Sequence, residues 1–287
     1  MSATPLGPAT RDRLLCRIGL DEPPGADADG LRRTMRAFVT TVPFEDLAVQ
    51  LGESRPLDPP ALIERIVDGR RGGYCFEVNT VLLTLLESLG FEVERREAIV
   101  GERGAFTDGL PTNHLALVVR TPEGQFIAEA GWGEGPIEPL PLAVGRHAAG
   151  AFEFAVERDG EGWWVAQHEY GSSPGFRFGD RPASLADFAP HHERLSTSPD
   201  SGFVQTLLVQ QPRADRIVTL RGRTRFVDGP GRREREVLAG ADAFTAMLAE
   251  EFGIDIDVLG ERRIERLWAR AEAQHEAHEA ARATGGI

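Results

Sequence analysis

The sequence has no lysine: all 32 of its basic residues are arginine. Without lysine, none of its glycine-rich stretches completes a phosphate-binding loop, which needs Lys followed by Ser or Thr. Positive charge is also short overall. Forty-five acidic residues give a formal net charge of −13, which opposes general nucleic-acid binding because phosphate contact is dominated by positive charge. Only two cysteines occur, Cys16 and Cys75, too few for a disulfide-stapled secreted scaffold. No apolar run approaches the length needed to span a bilayer, and the opening Met-Ser-Ala-Thr-Pro-Leu-Gly-Pro lacks the charged-then-apolar pattern of a signal peptide. These absences predict a cytoplasmic protein with no membrane and no nucleic-acid partner. At 287 residues, 41% hydrophobic and 27% charged, the chain has the composition of a globular protein and the length for two or three packed units.

From Thr10 to about Gly90 apolar residues recur at three- and four-residue intervals: Leu14, Leu15 and Ile18, then Leu31 to Val39, Ala61 to Val67 and Val78 to Leu89. Prolines at 23–24, 43 and 59–60 punctuate these runs, and Asp58 is placed to cap the helix that Pro59 and Pro60 begin. Residues 1–90 therefore read as a helical bundle, with Cys16 on the apolar stripe of its first helix and Phe38 and Phe44 open to either a core or a pocket. After Gly90 short β-type runs follow, Glu92 to Val100, His114 to Arg120, Gln125 to Ala130, Phe152 to Arg158 and Trp163 to His168, separated by turn residues. Residues 91–186 thus predict an antiparallel, barrel-like sheet. Residues 187–201, rich in Pro, His, Ser and Asp, read as a connector. Residues 202–287 predict a mixed α/β unit, with strands at Phe203 to Gln210, Arg216 to Arg221 and Arg223 to Val227 and helices at Ala241 to Phe252 and Glu261 to Ala283. The fold class is α+β, multidomain.

The chemistry-bearing stretch is Asp68-Gly-Arg-Arg-Gly-Gly-Tyr-Cys75-Phe-Glu77-Val-Asn79. A thiol placed where a flexible turn becomes a helix gains from free backbone N–H groups and the helix dipole, which favour thiolate. A small buried hydrophobe is the other reading of such a cysteine until a base is found. His275 and His278 lie on a charged terminal helix, His191 and His192 in the connector, and His147 in a Gly/Ala loop. His114 differs, because it opens an apolar strand that can hold an imidazole rigidly. The following strand ends in Glu129-Ala-Gly-Trp-Gly133, and a tight turn over 121–123 between antiparallel strands returns Glu129 to His114. There it can fix the imidazole tautomer and leave the other nitrogen to take the thiol proton. Arg71 and Glu77 flank the nucleophile and are expected to form a buried ion pair that clamps the turn. The arginines from Arg213 to Arg235 are either a solvated strand face or a site for phosphates.

Together, Arg71-Gly-Gly-Tyr-Cys75-Phe-Glu77, Val42-Pro-Phe-Glu-Asp-Leu47, Thr-Asn-His114, Glu129-Ala-Gly-Trp-Gly133 and Leu195-Ser-Thr-Ser-Pro-Asp-Ser-Gly-Phe203 resemble the arylamine N-acetyltransferase family, in the family's order. The resemblance implies a helical bundle, a β-barrel-like domain and an α/β lid over the active site. It implies an acyl group passing from acetyl-CoA, the acyl-donor cosubstrate, through Cys75 to an arylamine, arylhydrazine or N-hydroxyarylamine by ping-pong kinetics, with no metal. Carried over by motif, Cys75 is the nucleophile, His114 its base and Glu129 the third member of the triad. Phe38, Trp132 and Phe203 become substrate-pocket aromatics, and Asn113 and Gly131 coenzyme contacts. The family's usual Asp-Val-Gly-Phe-Gly is here Glu129-Ala-Gly-Trp-Gly, so the carboxylate stands one methylene further out and Trp132 reshapes the pocket.

Three other functions stay open on the sequence. An amide synthase releasing a polyketide from a carrier protein would use the same triad. A cysteine peptidase or transglutaminase-like enzyme shares the triad logic but is disfavoured by the motif order. A catalytically idle ligand-binding protein is raised by the aspartate-to-glutamate change. The sequence also leaves a homo-oligomer open.

Overall fold

A computed structural model describes residues 6–103 and 111–283, so the first five residues of the amino-terminal stretch read above lie outside the described part. The chain begins with α1 (Pro8–Arg17) and α2 (Ala28–Thr41), followed by a two-residue strand β1 (Phe44–Glu45), α3 (Leu47–Gln50), α4 (Pro59–Val67) and α5 (Cys75–Ser88). Asp27 caps α2 by accepting from Gly30 N at 2.8 Å, and Asp58 caps α4 by accepting from Ala61 N at 3.2 Å, as its place before two prolines predicts. Every residue of α5 from Cys75 to Leu86 is buried. A helix apolar on all sides belongs at the centre of its bundle, and α1, α2 and α4 pack around α5. Cys16 is a correction to the sequence reading, being exposed rather than in the core. The buried stripe runs through Leu14, Leu15 and Ile18, and at 3.6 residues per turn Cys16 points about 200° away from Leu14 and from Ile18.

Eight antiparallel strands follow: β2 (Glu92–Val100), β3 (His114–Thr121), β4 (Gly124–Ala128), β5 (Leu140–Pro141), β6 (Gly145–Ala149), β7 (Phe152–Asp159), β8 (Gly162–Ala166) and β9 (Gly175–Ala183). Their order, β5-β4-β3-β2-β9-β8-β7-β6, puts the consecutive strands β5 and β6 at opposite ends of the sheet, where they touch and nearly close it into a barrel. Strand β3 is buried from His114 to Val119. Its Ala116 and Val118 join the barrel core with Phe154, Phe176 and Phe178, while Leu115, Leu117 and Val119 join the helical core with α5. Successive side chains point to opposite faces, so this one strand glues the two units together.

The remainder comprises α6 (Leu185–Thr197), α7 (Gly202–Gln205), β10 (Leu208–Pro212), β11 (Ile217–Arg221), β12 (Thr224–Gly229), β13 (Arg232–Val237), α8 (Ala241–Glu250), α9 (Ile256–Leu259) and α10 (Glu261–Ala283). The expected connector over 187–201 is instead largely helix α6. Phe188, His192 and Leu195 form its buried stripe at i, i+4 and i+7, and Asp187 closes its first turn by accepting from Ser184 N at 2.7 Å. The strand expected from Phe203 starts only at Leu208, because Phe203 sits on α7. The C-terminal sheet has the order β1-β10-β11-β12-β13. Its first strand therefore comes from the helical region, while α8, α9 and α10 cover the apolar face made by Val209, Val218, Leu220 and Val227.

Candidate active site

The segment carrying β1 builds the loop before α5. Glu45 N donates to Gly73 O at 3.0 Å. The Glu45 carboxylate takes Arg71 through Nε at 2.9 Å and Nη2 at 3.1 Å, the Gly72 N–H at 3.2 Å and the Leu47 N–H at 2.6 Å. Burial alone would raise the pKa of Glu45, but Arg71 and Arg65 outweigh it and hold it below the usual range. The expected Arg71–Glu77 pair is thus replaced by two pairs. Arg71 holds Glu45, and Arg65 of α4 holds Glu77, with Nη1 to Oε1 at 2.9 Å. Glu77 also accepts from Tyr74 N at 3.2 Å and so closes the first turn of α5. Glycine is required at 72, since a Cβ there would stand 1.7 Å from Pro43 O.

This frame presents Cys75 as the first residue of α5, 3% exposed. Burial pushes its thiol pKa well up, the Glu129 charge adds to that, and the backbone N–H of Phe76 works against it. The Sγ–H donates to Asn113 O at 3.5 Å. His114, 1% exposed, meets Glu129, also 1% exposed, through Nε2 and Oε2 at 2.8 Å. The turn between β3 and β4 achieves this with Thr121 opposite Gly124, as the strand-and-turn reading predicts. The longer glutamate is folded back by donors to its other oxygen: Oε1 accepts from Gly131 N at 2.6 Å and from Asn79 Nδ2 at 2.8 Å. Asn79 spends its full capacity here, also donating to Leu115 O and accepting from Ala130 N and Gly131 N. A Cβ on Gly131 would lie 2.7 Å from Cys75 Cα and from Asn79 Nδ2, so only glycine lets the strand end approach the nucleophile.

Cys75 and His114 line one cavity of about 430 Å³, together with Asn113, Gly131, Trp132 and Phe203. Phe44 rather than Phe38 supplies aromatic wall from the helical region. Phe38 is fully buried in the helical core. Trp132 packs edge-on to Phe176 at 5.0 Å and donates Nε1–H to Ser173 Oγ at 3.0 Å. Phe203 leans on Tyr74 at 4.9 Å and Phe44 at 6.1 Å. His192, set aside in the sequence as part of a connector, is buried. Its Nε2–H donates to Arg55 O at 2.7 Å, which leaves Nδ1 to accept from the Tyr74 hydroxyl, whose proton burial holds in place. Among the described residues no group of three or more His, Cys, Asp or Glu side chains could hold a metal ion, and no helix is long and apolar enough to cross a membrane.

Residues 27–260 match the N-acetyltransferase family. An arylamine N-acetyltransferase of Mycolicibacterium smegmatis is 33% identical over 258 residues, 88% of this chain and 94% of that protein. The chain belongs to the arylamine N-acetyltransferase family. A solved M. smegmatis family structure superposes with a TM-score of 0.80 at 32% identity, covering 93% of this chain and 98% of the other. The Mycobacterium marinum arylamine N-acetyltransferase solved in complex with CoA gives a TM-score of 0.81 at 27% identity, covering 90% of this chain and 96% of the other.

Within an arylamine N-acetyltransferase framework, two groups at this site escaped the sequence reading. Asn79 carried a signal, a fully polar side chain four residues after Cys75 inside an apolar helix. Glu134 carried none, because an acidic residue in a Gly-rich turn reads as solvent-facing. Its burial depends on Gln210 and Ser172, which are distant in sequence.

Proposed function

We propose that the protein transfers an acetyl group from acetyl-CoA to an arylamine, arylhydrazine or N-hydroxyarylamine through a thioester on Cys75. The observation that carries this reading is the buried His114–Glu129 pair lining one cavity with a cysteine at a helix start. With Nε2 committed to Glu129, Nδ1 of His114 is the nitrogen left to take the thiol proton. Burial and the Glu129 charge raise the Cys75 thiol pKa, so His114 has to take the proton for the sulfur to attack the thioester carbonyl. The bond from that carbonyl to the coenzyme sulfur breaks, and the departing thiolate takes the proton from His114. Free backbone N–H groups at the start of α5 stabilise the oxyanion. The amine then attacks the acetyl-cysteine, giving its proton to His114, and the Cys75 sulfur leaves and is reprotonated. Glu129 holds the imidazole tautomer and stabilises its cation.

A second cleft of about 610 Å³ shares Thr206 and Arg221 with the catalytic cavity and is walled by Arg235, Arg270, His275 and His278. Among the described residues Arg221, Arg235 and Arg270 have no carboxylate partner, whereas Arg216, Arg225, Arg232 and Arg233 are each paired to an acid. In a chain of net charge −13 such a cluster suits the coenzyme phosphates, with Asn113 and Gly131 near the acyl end and Trp132 and Phe203 against the acceptor ring. A cytoplasmic location fits a reaction that draws on acetyl-CoA.

The test is incubation with acetyl-CoA and no acceptor, followed by peptide mass spectrometry. The expected product carries one acetyl group on Cys75. Folded protein that stays unlabelled, yet takes an acyl group from a phosphopantetheinyl carrier protein, would establish the amide-synthase alternative instead.

A further inference from the structure

Glu134 takes no part in the transfer described above, yet it lines the same cavity as Cys75 and His114 and is only 9% exposed. Its Oε1 accepts from Gln210 Nε2 at 2.8 Å and its Oε2 from Ser172 N at 2.6 Å. The site is built to hold that geometry. Gln210 is buried in the sheet and also reaches Thr219 Oγ1 at 3.3 Å, and Gly133 makes room for it, since a Cβ there would meet Gln210 Oε1 at 2.4 Å.

Both donors are neutral. Among the described residues no Arg or His nitrogen lies within ion-pairing distance of the Glu134 carboxylate. His168 gives its Nε2–H to the backbone carbonyl of Glu134 at 2.9 Å, accepts from Tyr170 N on Nδ1 at 3.2 Å, and is held neutral by burial. The other buried glutamates around Cys75 all have a basic partner: Glu45 with Arg71, Glu77 with Arg65 and Glu129 with His114. Buried charges are ordinarily paired because an unpaired one is costly. A carboxylate has about four lone-pair directions, and among the described residues donors fill two of those on Glu134.

We infer that Glu134 determines acceptor specificity, the missing cation arriving on the substrate: the preferred acceptor is an aromatic amine bearing a second, positively charged nitrogen. Acceptors bearing a carboxylate are rejected by like-charge repulsion. This inference rests on the acetyl-transfer reading, and its test is separable from that reading.

Cys75 acetylation by acetyl-CoA is measured first in the wild type and in Glu134→Gln; an unlabelled wild type would end the acetyl-transfer reading, not this one. The acceptor step is then compared for 4-aminobenzamidine, 4-aminobenzamide and 4-aminobenzoate, which differ in charge and little in shape. The wild type is expected to prefer the amidine over the benzoate by about 100-fold in kcat/KM, and Glu134→Gln to reduce that ratio by about 10-fold or more, as for loss of a charge-assisted contact. Equal scaling of all three acceptors by the substitution would overturn the proposal. Calorimetric titration with benzamidine and benzamide, which need no turnover, gives an independent reading. Benzamidine should bind the wild type about 10-fold tighter than benzamide does. Equal affinities would overturn the proposal even if the variant failed to fold.

Discussion

Asp46 is 1% exposed and, among the described residues, has no basic partner. Its Oδ1 accepts from Leu208 N at 3.0 Å, but Oδ2 is buried without any hydrogen bond. Burial drives its pKa well above the usual carboxylate range, and the neighbouring ionised Glu45 adds to the shift. The sign follows from linkage. Below the unfolded-state pKa, near 4, both states are protonated and Asp46 is neutral to stability. As pH rises the unfolded chain ionises first, so stability falls until the folded pKa is passed. Asp46→Asn keeps the acceptor for Leu208 N while removing the charge. It should stabilise the protein by about 1–3 kcal/mol, with a gain in the urea midpoint larger at pH 8 than at pH 5; a pH-independent gain would clear Asp46 of the effect. Glu129→Gln should slow single-turnover acetylation of Cys75 by about 100-fold or more, because an amide can present the wrong partner to His114 and cannot stabilise its cation. Full rate in that variant would mean another carboxylate holds the imidazole. The approach of Glu129 to His114 was legible because two strands joined by a tight turn are a local signal, and the helix start at Cys75 was legible from the Gly-Gly pair ahead of an apolar run. The partners of Arg71 and Glu77 were not, because Glu45 and Arg65 come from other elements and nothing in the local spacing selects one carboxylate over another.

The loop from Asp68 to Tyr74 is held by elements on either side of it: β1 through Glu45 and Arg71, and α4 through Arg65 and Glu77. Removing Arg71 leaves Glu45 charged and 1% exposed. Arg71→Met should cost about 3–5 kcal/mol, while Glu45→Gln combined with Arg71→Met recovers part of that loss. The check is a chemical denaturation cycle over the four proteins; additive losses would show the pair is not coupled. Helices with clean apolar stripes read well, and α10 has the bounds its pattern predicts. Helix α6 did not, because Pro, His and Ser mimic a linker and its stripe depends on burying His192 against Tyr74. Strand β13, Arg-Arg-Glu-Arg-Glu-Val, is exposed at every position. It alternates nothing and is a strand only because β12 pairs with it and its charges suit a sheet edge.

Over the whole molecule the three units interlock rather than stack. Strand β3 faces two cores, and β1 crosses from the helical region to pair with β10, Phe44 opposite Gln210. Arg213 donates to Thr40 O at 2.9 Å and to Glu251 O at 2.6 Å, Arg263 holds Glu53, and Gln50 takes Arg270 and Gln274 while donating to Phe203 O. A single calorimetric unfolding transition is the expected result, and two resolved transitions would contradict this interlocking. The overall order of bundle, barrel and α/β unit was legible from changes of hydrophobic period, whereas this stitching was not, since a two-residue strand such as β1 leaves no periodic trace. Its consequence concerns the wall of the pocket. Phe203, Thr206, Leu208, Gln210 and Arg221 of the C-terminal unit line the cavity that Cys75 and His114 line from the other two units, so the contacts that stitch the three units together also fix the shape of the space around the sulfur.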